Sequence, residues 1–302
     1  ANSYGSGANG GSGIVIVRYP GTVQFYTGGP INYANGYIVH TFYSNGTLAP
    51  TAPTQYSNTY QISRSLRFNS ADSTYLNRTP GSAGNRRTWT WSCWVKPAGF
   101  GVNRNLLFCG TSYTETGAMA ITFSTGGGST TDCLNLTTGN QVFRRSTNQL
   151  RDPSAWYHLV VAFDTTQPNA SDRVKMYINA DQVTSFVLSN DPVLNTEYGI
   201  NQAALHRIGN DPVANDAYLN GYLTDVHFID GQALTPSSFG EYDVNTGVWI
   251  PRSYGGSYGT NGYKLNFSDN SNVTAATLGA DTSGNGNNWT PNNFSVSAGV
   301  GN

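Results

Sequence analysis

Carboxylate side chains that could hydrolyse a glycosidic bond are few and widely spaced in this chain. Such hydrolysis needs two carboxyl groups about 5–10 Å apart, one of which is held protonated. The chain has three glutamates, Glu115, Glu197 and Glu241, and they are far apart in sequence. Glu241 and Asp243 match the first two acids of an E-x-D-x-x-E pattern, but the second glutamate of that pattern is absent. We therefore predict no catalytic residues and no enzymatic activity, with Glu241 in a surface loop.

Two of the four histidines, His158 and His227, lie inside apolar runs that predict strands. We expect both to have structural roles. Asp225 and His227 are two residues apart on a predicted strand and so share one face, as two metal ligands would. A pair falls short of the three or four ligands that zinc requires. No G-x-S-x-G nucleophile turn is present, although a Ser-His-Asp arrangement assembled across the fold stays open.

A calcium loop is the best-supported metal site in the sequence. The run DTSGNG, residues 281–286, places the oxygen-bearing side chains of Asp281, Ser283 and Asn285 at positions 1, 3 and 5 and a glycine at position 6. That spacing is typical of a calcium loop, but the twelfth position is Asn292 rather than the bidentate glutamate of an EF-hand. The alternative is a turn rich in Asn and Asp, which the same residues favour through local hydrogen bonds.

A Gly- and Tyr-rich segment near the C-terminus carries the chemistry of a sugar site. Its candidate ligand-binding residues are Tyr254, Tyr258, Asn261 and Tyr263, which we expect in an exposed loop. Aromatic faces stack against pyranose rings, and amide groups hydrogen-bond to sugar hydroxyls. Tyrosine is also enriched in protein interfaces, so the alternatives are contact with a neighbouring subunit or cover for the chain's own core.

Composition indicates a presented, neutral surface. The chain has 302 residues, of which 11% are charged, with a net charge of −1. Ordinary soluble domains are roughly 25% charged. Nucleic-acid binding would need a clustered basic face, and no such cluster is present. The sequence contains no run of roughly 18 apolar residues, which a membrane-spanning helix would need. The N-terminus is neither basic nor apolar, as a signal peptide would be.

The three cysteines, Cys93, Cys109 and Cys133, have no metal-ligand spacing. An odd count argues against a disulfide framework, although a Cys93–Cys109 bridge stays open. Cys93 and Cys109 lie in apolar runs, where a free cysteine behaves as a small hydrophobic residue.

The first 60 residues predict a small β appendage and a linker. A Gly/Ser/Asn-rich tract at 1–13 leads into IVIVRYP, residues 14–20, a β-branched strand that ends at Pro20. Asn45-Gly46, between two strand-like runs, is a strong hairpin signal because both central residues of a type I′ turn need positive φ. Two prolines in residues 49–60 indicate a linker.

From Leu66 onward the hydrophobic period is 2, as in β-strands. In TWTWSCWV, residues 88–95, Trp89, Trp91 and Cys93 share one face. The run from Trp156 to Phe163 is apolar on both faces, which predicts a central strand. Short strands with Gly/Asn/Asp turns indicate an all-β sandwich. Thr235 and Pro236 predict a single helical turn, with Thr235 as its N-cap.

Several motifs in order resemble a laminin-G-like, concanavalin A-type jelly roll. They are SLRFNSADSTYL (65–76), WTWSCWVKP (89–97), LLFCG (106–110), WYH (156–158), KMYIN (175–179), HRIG (206–209) and LNGYLTDVHFIDGQAL (219–234). Asn179-Ala180-Asp181 replaces the usual Asp-Gly turn. The resemblance implies an antiparallel jelly-roll β-sandwich over residues 61–245, followed by a loop-rich C-terminal extension, 246–302, that packs on the sandwich or on a neighbouring subunit.

The flanks carry a second resemblance. Residues 1–48, with the IVIVRYP strand, are similar to Gly-rich modules of bacteriophage tail and fibre proteins, and residues 241–302 resemble segments attached to such jelly rolls in phages, particularly marine ones. The two resemblances imply a non-enzymatic virion protein, a tail-fibre, spike or head-fibre component whose lectin-like sandwich serves glycan adhesion or subunit assembly. Implied partners are other virion proteins, further copies of the chain (a trimer is expected by analogy with fibres) and a host-surface glycan. The alternatives are a virion-borne or secreted polysaccharide-degrading enzyme and a purely structural fibre or decoration protein.

Overall fold

The computed structural model describes residues 13–20, 24, 26–50, 60–125, 131–139, 141–244 and 246–296. Contacts within the chain divide it into two compact units. One contains residues 1–59 and 242–248, and the other contains residues 60–241 and 249–302. The first unit includes residues 1–59, where the sequence predicts an appendage and a linker, and also residues 242–248. The second contains the sandwich together with most of the C-terminal segment.

The N-terminal unit contains a three-stranded antiparallel sheet in the order β1-β4-β3. Its strands are β1 (Val15–Pro20), β2 (Tyr26–Thr27), β3 (Ile31–Ala34), β4 (Tyr37–Phe42) and β5 (Ala49–Pro50). The tight hairpin joins β3 to β4 through Asn35-Gly36, whose φ angles of 52° and 78° fit a type I′ turn. The hairpin expected at Asn45-Gly46 is wrong, because β4 ends at Phe42 and β5 pairs with β2.

The second unit contains the remaining strands. They are β6 (Leu66–Phe68), β7 (Tyr75–Arg78), β8 (Thr88–Pro97), β9 (Arg104–Cys109), β10 (Met119–Thr125), β11 (Thr131–Thr138), β12 (Gln141–Gln149), β13 (Tyr157–Asp164), β14 (Val174–Ile178), β15 (Asp181–Gln182), β16 (Phe186–Ser189), β17 (His206–Ile208), β18 (Gly221–Asp230), β19 (Gly240–Tyr242), β20 (Trp249–Pro251), β21 (Tyr263–Leu265) and β22 (Thr290–Asn292).

Two large antiparallel sheets form the sandwich. The eight-stranded sheet has the order β16-β12-β11-β10-β9-β17-β7-β22. The seven-stranded sheet has the order β15-β14-β13-β8-β18-β21, and β6 also pairs with β18. The tail contributes β21 to one sheet and β22 to the other, so it is built into the sandwich. The predicted all-β jelly-roll sandwich is confirmed.

The main core lies between the inner faces of the two sheets. In β8, Trp89, Trp91 and Cys93 point into this core, as the period of 2 predicted. β13 lies between β14 and β8, which explains why its residues are apolar on both faces. Trp289, from the tail, is 1% exposed in the same core.

Two single 3-10 turns, Ala170–Asp172 and Pro236–Ser238, are the helical elements of the described residues. The second matches the predicted helical turn, but Thr235 makes no side-chain capping hydrogen bond. No helix in the described residues has the length and apolar character needed to cross a membrane. Cys93, Cys109 and Cys133 are all buried and none of them forms a disulfide, and burial raises the pKa of the Cys93 thiol well above its usual value.

Candidate functional site

The outer face of the eight-stranded sheet carries an open groove. Four side chains at matching register positions form a row across neighbouring strands: Asn105, Thr122, Asn135 and Arg145. Their neighbours in sequence, such as Ile121 and Leu134, point into the core. Since adjacent strands lie roughly 4.8 Å apart, the row spans about 14 Å. This length exceeds that of a single sugar ring.

The groove has a volume of about 400 Å³ and a mixed lining of hydroxyl, amide and aromatic groups. The next row, Phe108, Ala120 and Thr137, forms a partly apolar floor beside the polar row. Tyr113 stands at one side with 43% of its surface exposed, and its ring meets that of Phe108 edge-on at 6.3 Å. The site therefore offers an aromatic surface next to neutral hydrogen-bonding groups.

Loop residues at the Asn105 side hold Tyr113 in place. The Tyr113 hydroxyl donates to Asp211 Oδ2 at 2.7 Å, and Asp211 Oδ1 accepts from the Val213 amide. Burial and the adjacent carboxylate raise the pKa of the Tyr113 hydroxyl. Asp211 also pairs with Asp216 in an isolated antiparallel bridge. Asp216 is exposed and lines the same side of the groove.

Asn135, at the centre of the row, has an unsatisfied polar atom. Its side chain is 4% exposed, its Nδ2 donates to Thr122 Oγ1 at 3.3 Å, and its Oδ1 has no hydrogen-bond partner among the described residues. Turning the amide over would leave Nδ2 as the unpaired atom instead. Buried polar side-chain atoms are usually hydrogen-bonded, so this one marks a position where an outside group can bind.

Arg145, at the other end of the row, is half-buried, and its Nε is shielded from solvent without a hydrogen-bond partner in the described chain. The arginine beside it behaves differently. Arg144 donates to the Phe143 and Asn190 carbonyls and pairs with Asp191. Of two consecutive arginines on one strand, one is held in internal bonds and the other faces the groove.

The four residues predicted to bind sugar do not form an exposed loop. Tyr258, Asn261 and Tyr263 are 9%, 5% and 3% exposed, and Tyr254 is half-buried. Tyr263 lies in the main core, and Tyr258 packs with Phe239 on the outer face of the seven-stranded sheet. The expectation of exposure is wrong because this segment covers the sandwich. The contacts of this segment agree with the alternative in which it covers the chain's own core.

Asn261 joins the tail to two other loops. Its Nδ2 donates to the Ser82 carbonyl at 2.9 Å and to Asn201 Oδ1 at 3.0 Å, and its backbone amide donates to Asp230 Oδ2 at 3.0 Å. Asn201 in turn donates to Asp230 Oδ1 at 2.7 Å. These polar groups satisfy one another, so the cluster has a structural role.

The DTSGNG loop is an Asx turn that anchors the tail. Asp281 Oδ1 accepts from the amides of Lys264 and Ser283, both at 2.8 Å, and Oδ2 accepts from the Asn287 amide and the Ser283 hydroxyl. Asn285 turns its amide nitrogen toward the Gly259 and Gly262 carbonyls. Asp281, Ser283 and Asn285 thus have hydrogen-bond partners within the chain, as the turn alternative predicts, and calcium binding stays a prediction.

His158 has the structural role that its apolar surroundings predicted. The Trp249 indole donates to Nδ1 at 3.0 Å, so Nε2 carries the proton and donates to Ser92 Oγ at 2.9 Å. The ring is stacked on Trp94 at 4.9 Å. Burial and the nearby His227 lower the pKa of His158 to about 3. The imidazole stays neutral and fully paired.

Asp225 and His227 share a face, as predicted, next to a bulge in β18 where Asp225 has a φ of 48°. Asp225 Oδ1 accepts from the Tyr60 hydroxyl at 2.5 Å, and the Lys264 ammonium lies 3.5 Å away. Burial raises the pKa of Asp225, but its interactions with His227 and Lys264 outweigh this, and the pKa falls to about 2. Among the described residues, no cluster of three or more His, Cys, Asp or Glu could hold a metal.

Glu241 and Asp243, the two acids of the incomplete E-x-D-x-x-E pattern, have local partners. Glu241 lies 3.8 Å from Arg252 in an exposed pair. Asp243 accepts from the amide and hydroxyl of Thr246, both at 2.8 Å, in a turn.

Sequence reasoning missed the groove, although a signal was present. In MAITFS, residues 119–124, and in CLNLT, residues 133–137, small or polar residues alternate with large apolar ones. That alternation predicts a polar outer face on two adjacent strands. Which strands pair, and in what register, depends on contacts distant in sequence, so the row itself could not be read from these segments alone.

The paired antiparallel sheets, the internal core and the polar groove define a lectin-like sandwich. Residues 69–238, more than half of the chain, match the laminin-G-type family model of the concanavalin A-like lectin/glucanases superfamily. The protein belongs to this family. No curated protein shows detectable similarity to the chain.

Several solved structures are similar to this chain at low sequence identity. A candidate carbohydrate-binding protein from Bacteroides ovatus is 15% identical with a TM-score of 0.50, over 84% of this chain and 61% of the other. A heptameric SAP-like pentraxin from Limulus polyphemus is 15% identical over 56% and 72% of the two chains, with a TM-score of 0.37. Domain 4 of an arabinanase from Geobacillus stearothermophilus, in complex with arabinotriose, is 20% identical over 51% and 65%, with a TM-score of 0.36. The chain thus spans about three fifths of the Bacteroides protein.

Proposed function

We propose that this protein binds a glycan, without degrading it, in the groove on the outer face of the eight-stranded sheet. The observation that carries the proposal is the row Asn105, Thr122, Asn135 and Arg145, with a buried amide at its centre whose oxygen has no partner. An outside donor satisfies that oxygen. The lectin-like family supports the same reading.

Sugar chemistry matches the lining. Sugar hydroxyls donate and accept hydrogen bonds, as do the amides and hydroxyls of the row. Tyr113, 43% exposed beside the row, offers a flat apolar surface to the C–H groups of a pyranose ring. Ligand sites combine such apolar surface with a few well-placed polar groups.

The non-enzymatic part of the proposal rests on the state of the groove's acids. A glycosidase needs one carboxyl group held protonated. Both oxygens of Asp211 instead accept hydrogen bonds, from the Tyr113 hydroxyl and from the Val213 and Ala214 amides. These bonds tie the Asp211 carboxylate to its own loop and to Tyr113 and favour a positioning role for it.

We further propose that the protein is a surface component of a bacteriophage particle, a tail-fibre, spike or head-fibre protein that attaches to a host glycan as a homo-oligomer, with a trimer expected. The support is the resemblance of residues 1–48 and 241–302 to phage proteins. Sedimentation equilibrium of the full chain tests the trimer. An antibody against the sandwich that labels purified particles and blocks their adsorption to cells would test the location.

The binding experiment is a glycan array probed with the labelled full chain, followed by calorimetric titration of the best oligosaccharide. Asn135→Ala and Tyr113→Ala each remove one groove contact, and we expect each to weaken binding by about tenfold or more, since each tenfold change corresponds to about 1.4 kcal/mol. Asn272→Ala, an exposed asparagine of the tail, is the matched control. Unchanged affinity in both groove variants would contradict the proposal.

Polysaccharide hydrolysis is the second candidate, because Asp211 and Asp216 are bridge partners that both line the groove. Release of new reducing ends from a bound polysaccharide, abolished by Asp216→Asn, would favour it. Binding without release of reducing ends favours the lectin.

A further inference from the structure

We infer that the groove selects an anionic glycan, whose carboxylate or sulfate group pairs with Arg145 while its neutral rings extend along the row toward Asp216. This inference rests on the proposed glycan-binding function and specifies the class of glycan. It follows from the distribution of charge along the groove.

Arg145 lacks a counter-ion within the described chain. Its register partners on the two adjacent strands are Asn135 and Leu188, neither of which carries a charge. The Nε atom is shielded from solvent and has no hydrogen-bond acceptor. Burying part of a guanidinium without a partner costs free energy, and a bound anion would recover that cost.

Three arginines on or next to β9 and β12 show what a guanidinium paired with a carboxylate looks like here, whereas Arg78 and Arg207, farther along the sheet, bond to neutral asparagine oxygens. Arg104 lies 2.5 Å from Asp132, and both side chains are buried. Arg151 also reaches Asp132, at 2.9 Å. Arg144 pairs with Asp191. Each of these arginines has a carboxylate of the chain itself, whereas Arg145 presents its fork of donors to the groove.

The groove is also polarised along its length. Its acidic residues, Asp211 and Asp216, lie at the Asn105 side, next to Ala217, whose carbonyl accepts from the Asn105 amide. Arg145 lies three strands away, which is about 14 Å at ordinary strand spacing. The uncharged groups Thr122 and Asn135 lie between them. The acidic group of a sugar thus meets Arg145 at one end of the groove, and the sugar hydroxyls can donate to the carboxylates at the other end. In the reverse orientation the acidic group of the sugar would lie next to these carboxylates, which carry the same charge.

Arginine geometry suits both anions that sugars carry. The planar guanidinium donates two parallel hydrogen bonds to a carboxylate or to a sulfate, and such charge-assisted bonds are stronger than neutral ones. Lysine would keep the charge but lose the fork. The conservative variant Arg145→Lys therefore separates bidentate recognition from simple charge attraction.

The experiment is an array of matched glycan pairs probed with the full chain. The pairs are polyuronate oligosaccharides with their carboxyl-reduced forms, sialylated oligosaccharides with their asialo forms, and sulfated oligosaccharides with their desulfated forms. We expect the acidic member of at least one pair to bind about tenfold more tightly, which is the effect of one charge-assisted contact. The carboxylated and sulfated pairs distinguish the two anions.

Variants connect this preference to Arg145. Arg145→Gln should lower affinity for the acidic glycan to that of its neutral partner and leave the neutral affinity unchanged, and Arg145→Lys should give an intermediate value. Arg252→Gln, at a side chain 55% exposed outside the groove, is the matched control and should keep the full preference. Rising salt should weaken the acidic glycan alone.

The possible failures are distinguishable. Equal binding of acidic and neutral partners, lost in Asn135→Ala but not in Arg145→Gln, would overturn the anionic preference and leave the glycan-binding function in place. A preference that survives in Arg145→Gln would also overturn the inference. Absence of binding to every glycan would overturn the proposed function and the inference together.

Discussion

The two outer faces of the sandwich differ in whether other segments of the chain cover them. On the seven-stranded sheet, residues 232–239 and 249–258 cover the strands. Buried polar side chains there bond to one another, as in Ser92–His158–Trp249, although Trp94 Nε1 and His227 Nε2 have no hydrogen-bond partner among the described residues. On the eight-stranded sheet the face is open over about 400 Å³, and Asn135 and Arg145 have unpaired polar atoms. The same fold therefore makes one face a structural layer and leaves the other able to bind a partner molecule.

The difference shows why residue type alone misleads in this chain. Tyrosines, asparagines and histidines occur on both faces, and the aromatic-rich tail has the composition of a sugar site. Its tyrosines nevertheless serve as cover, with Tyr258 hydrogen-bonded to His227 at 2.8 Å. The two roles are separated by whether the group lies under another segment of the chain or lines the open groove.

The largest effect is expected on the covered face. His158→Ala removes the ring that bonds to the Trp249 indole and to the Ser92 hydroxyl and opens a cavity, so the free energy of unfolding should fall by about 3 kcal/mol. Urea unfolding measures this change. The glycan affinity of the folded variant should match that of the wild type. A loss of affinity at unchanged stability would instead show that the covered face, and not the groove, takes part in binding.

Acid should destabilise the protein through its buried histidines. The pKa values of His158 and His206 are lowered to about 3 and about 4, mainly by burial, against 6.5 in the unfolded chain. The unfolded state thus binds more protons below about pH 6, and each histidine lowers stability by about 1.4 kcal/mol per pH unit as pH falls. Asp225, with a pKa of about 2, lowers the free energy of unfolding further only below about pH 4.

Urea unfolding between pH 6.5 and 4.5 measures this slope. His158→Gln should reduce it by about half, because His206 supplies the rest. A slope unchanged by this variant would show that His158 is accessible to protons in the folded state.

Two buried asparagines give a matched test of paired and unpaired amides. Asn261→Ala removes bonds to Ser82 and Asn201 and should cost about 1–2 kcal/mol. Asn135→Ala removes an amide that is only partly satisfied, so its cost should be about 0.5 kcal/mol or less. Thermal unfolding compares the two variants. Equal losses would mean that the Asn135 amide is bonded in solution.

The smallest effect is expected from calcium. Because the Asp281 carboxylate already accepts from four donors of its own loop and of β21, calcium and chelator should leave the melting temperature unchanged. A rise in melting temperature with calcium, abolished by Asp281→Asn, would instead support the calcium site predicted from the sequence.

Periodic patterns predicted the fold well and the exposed surfaces less well. The period of 2 in β8 and the doubly apolar β13 follow from local sequence, because a strand's faces alternate whatever its neighbours are. Two Asn-Gly pairs are equally good turn signals locally, yet the hairpin forms at Asn35 and not at Asn45, since the strand after Asn45 pairs elsewhere. The groove depends on the register of four strands, which local patterns do not specify.

The most direct test of the glycan site is a crystal structure of the full chain with the best oligosaccharide from the array. We expect sugar electron density along Asn105, Thr122, Asn135 and Arg145, with a hydrogen bond from the sugar to Asn135 Oδ1. Sugar density against the covered face, at Tyr254 or Trp249, with an empty groove would contradict it.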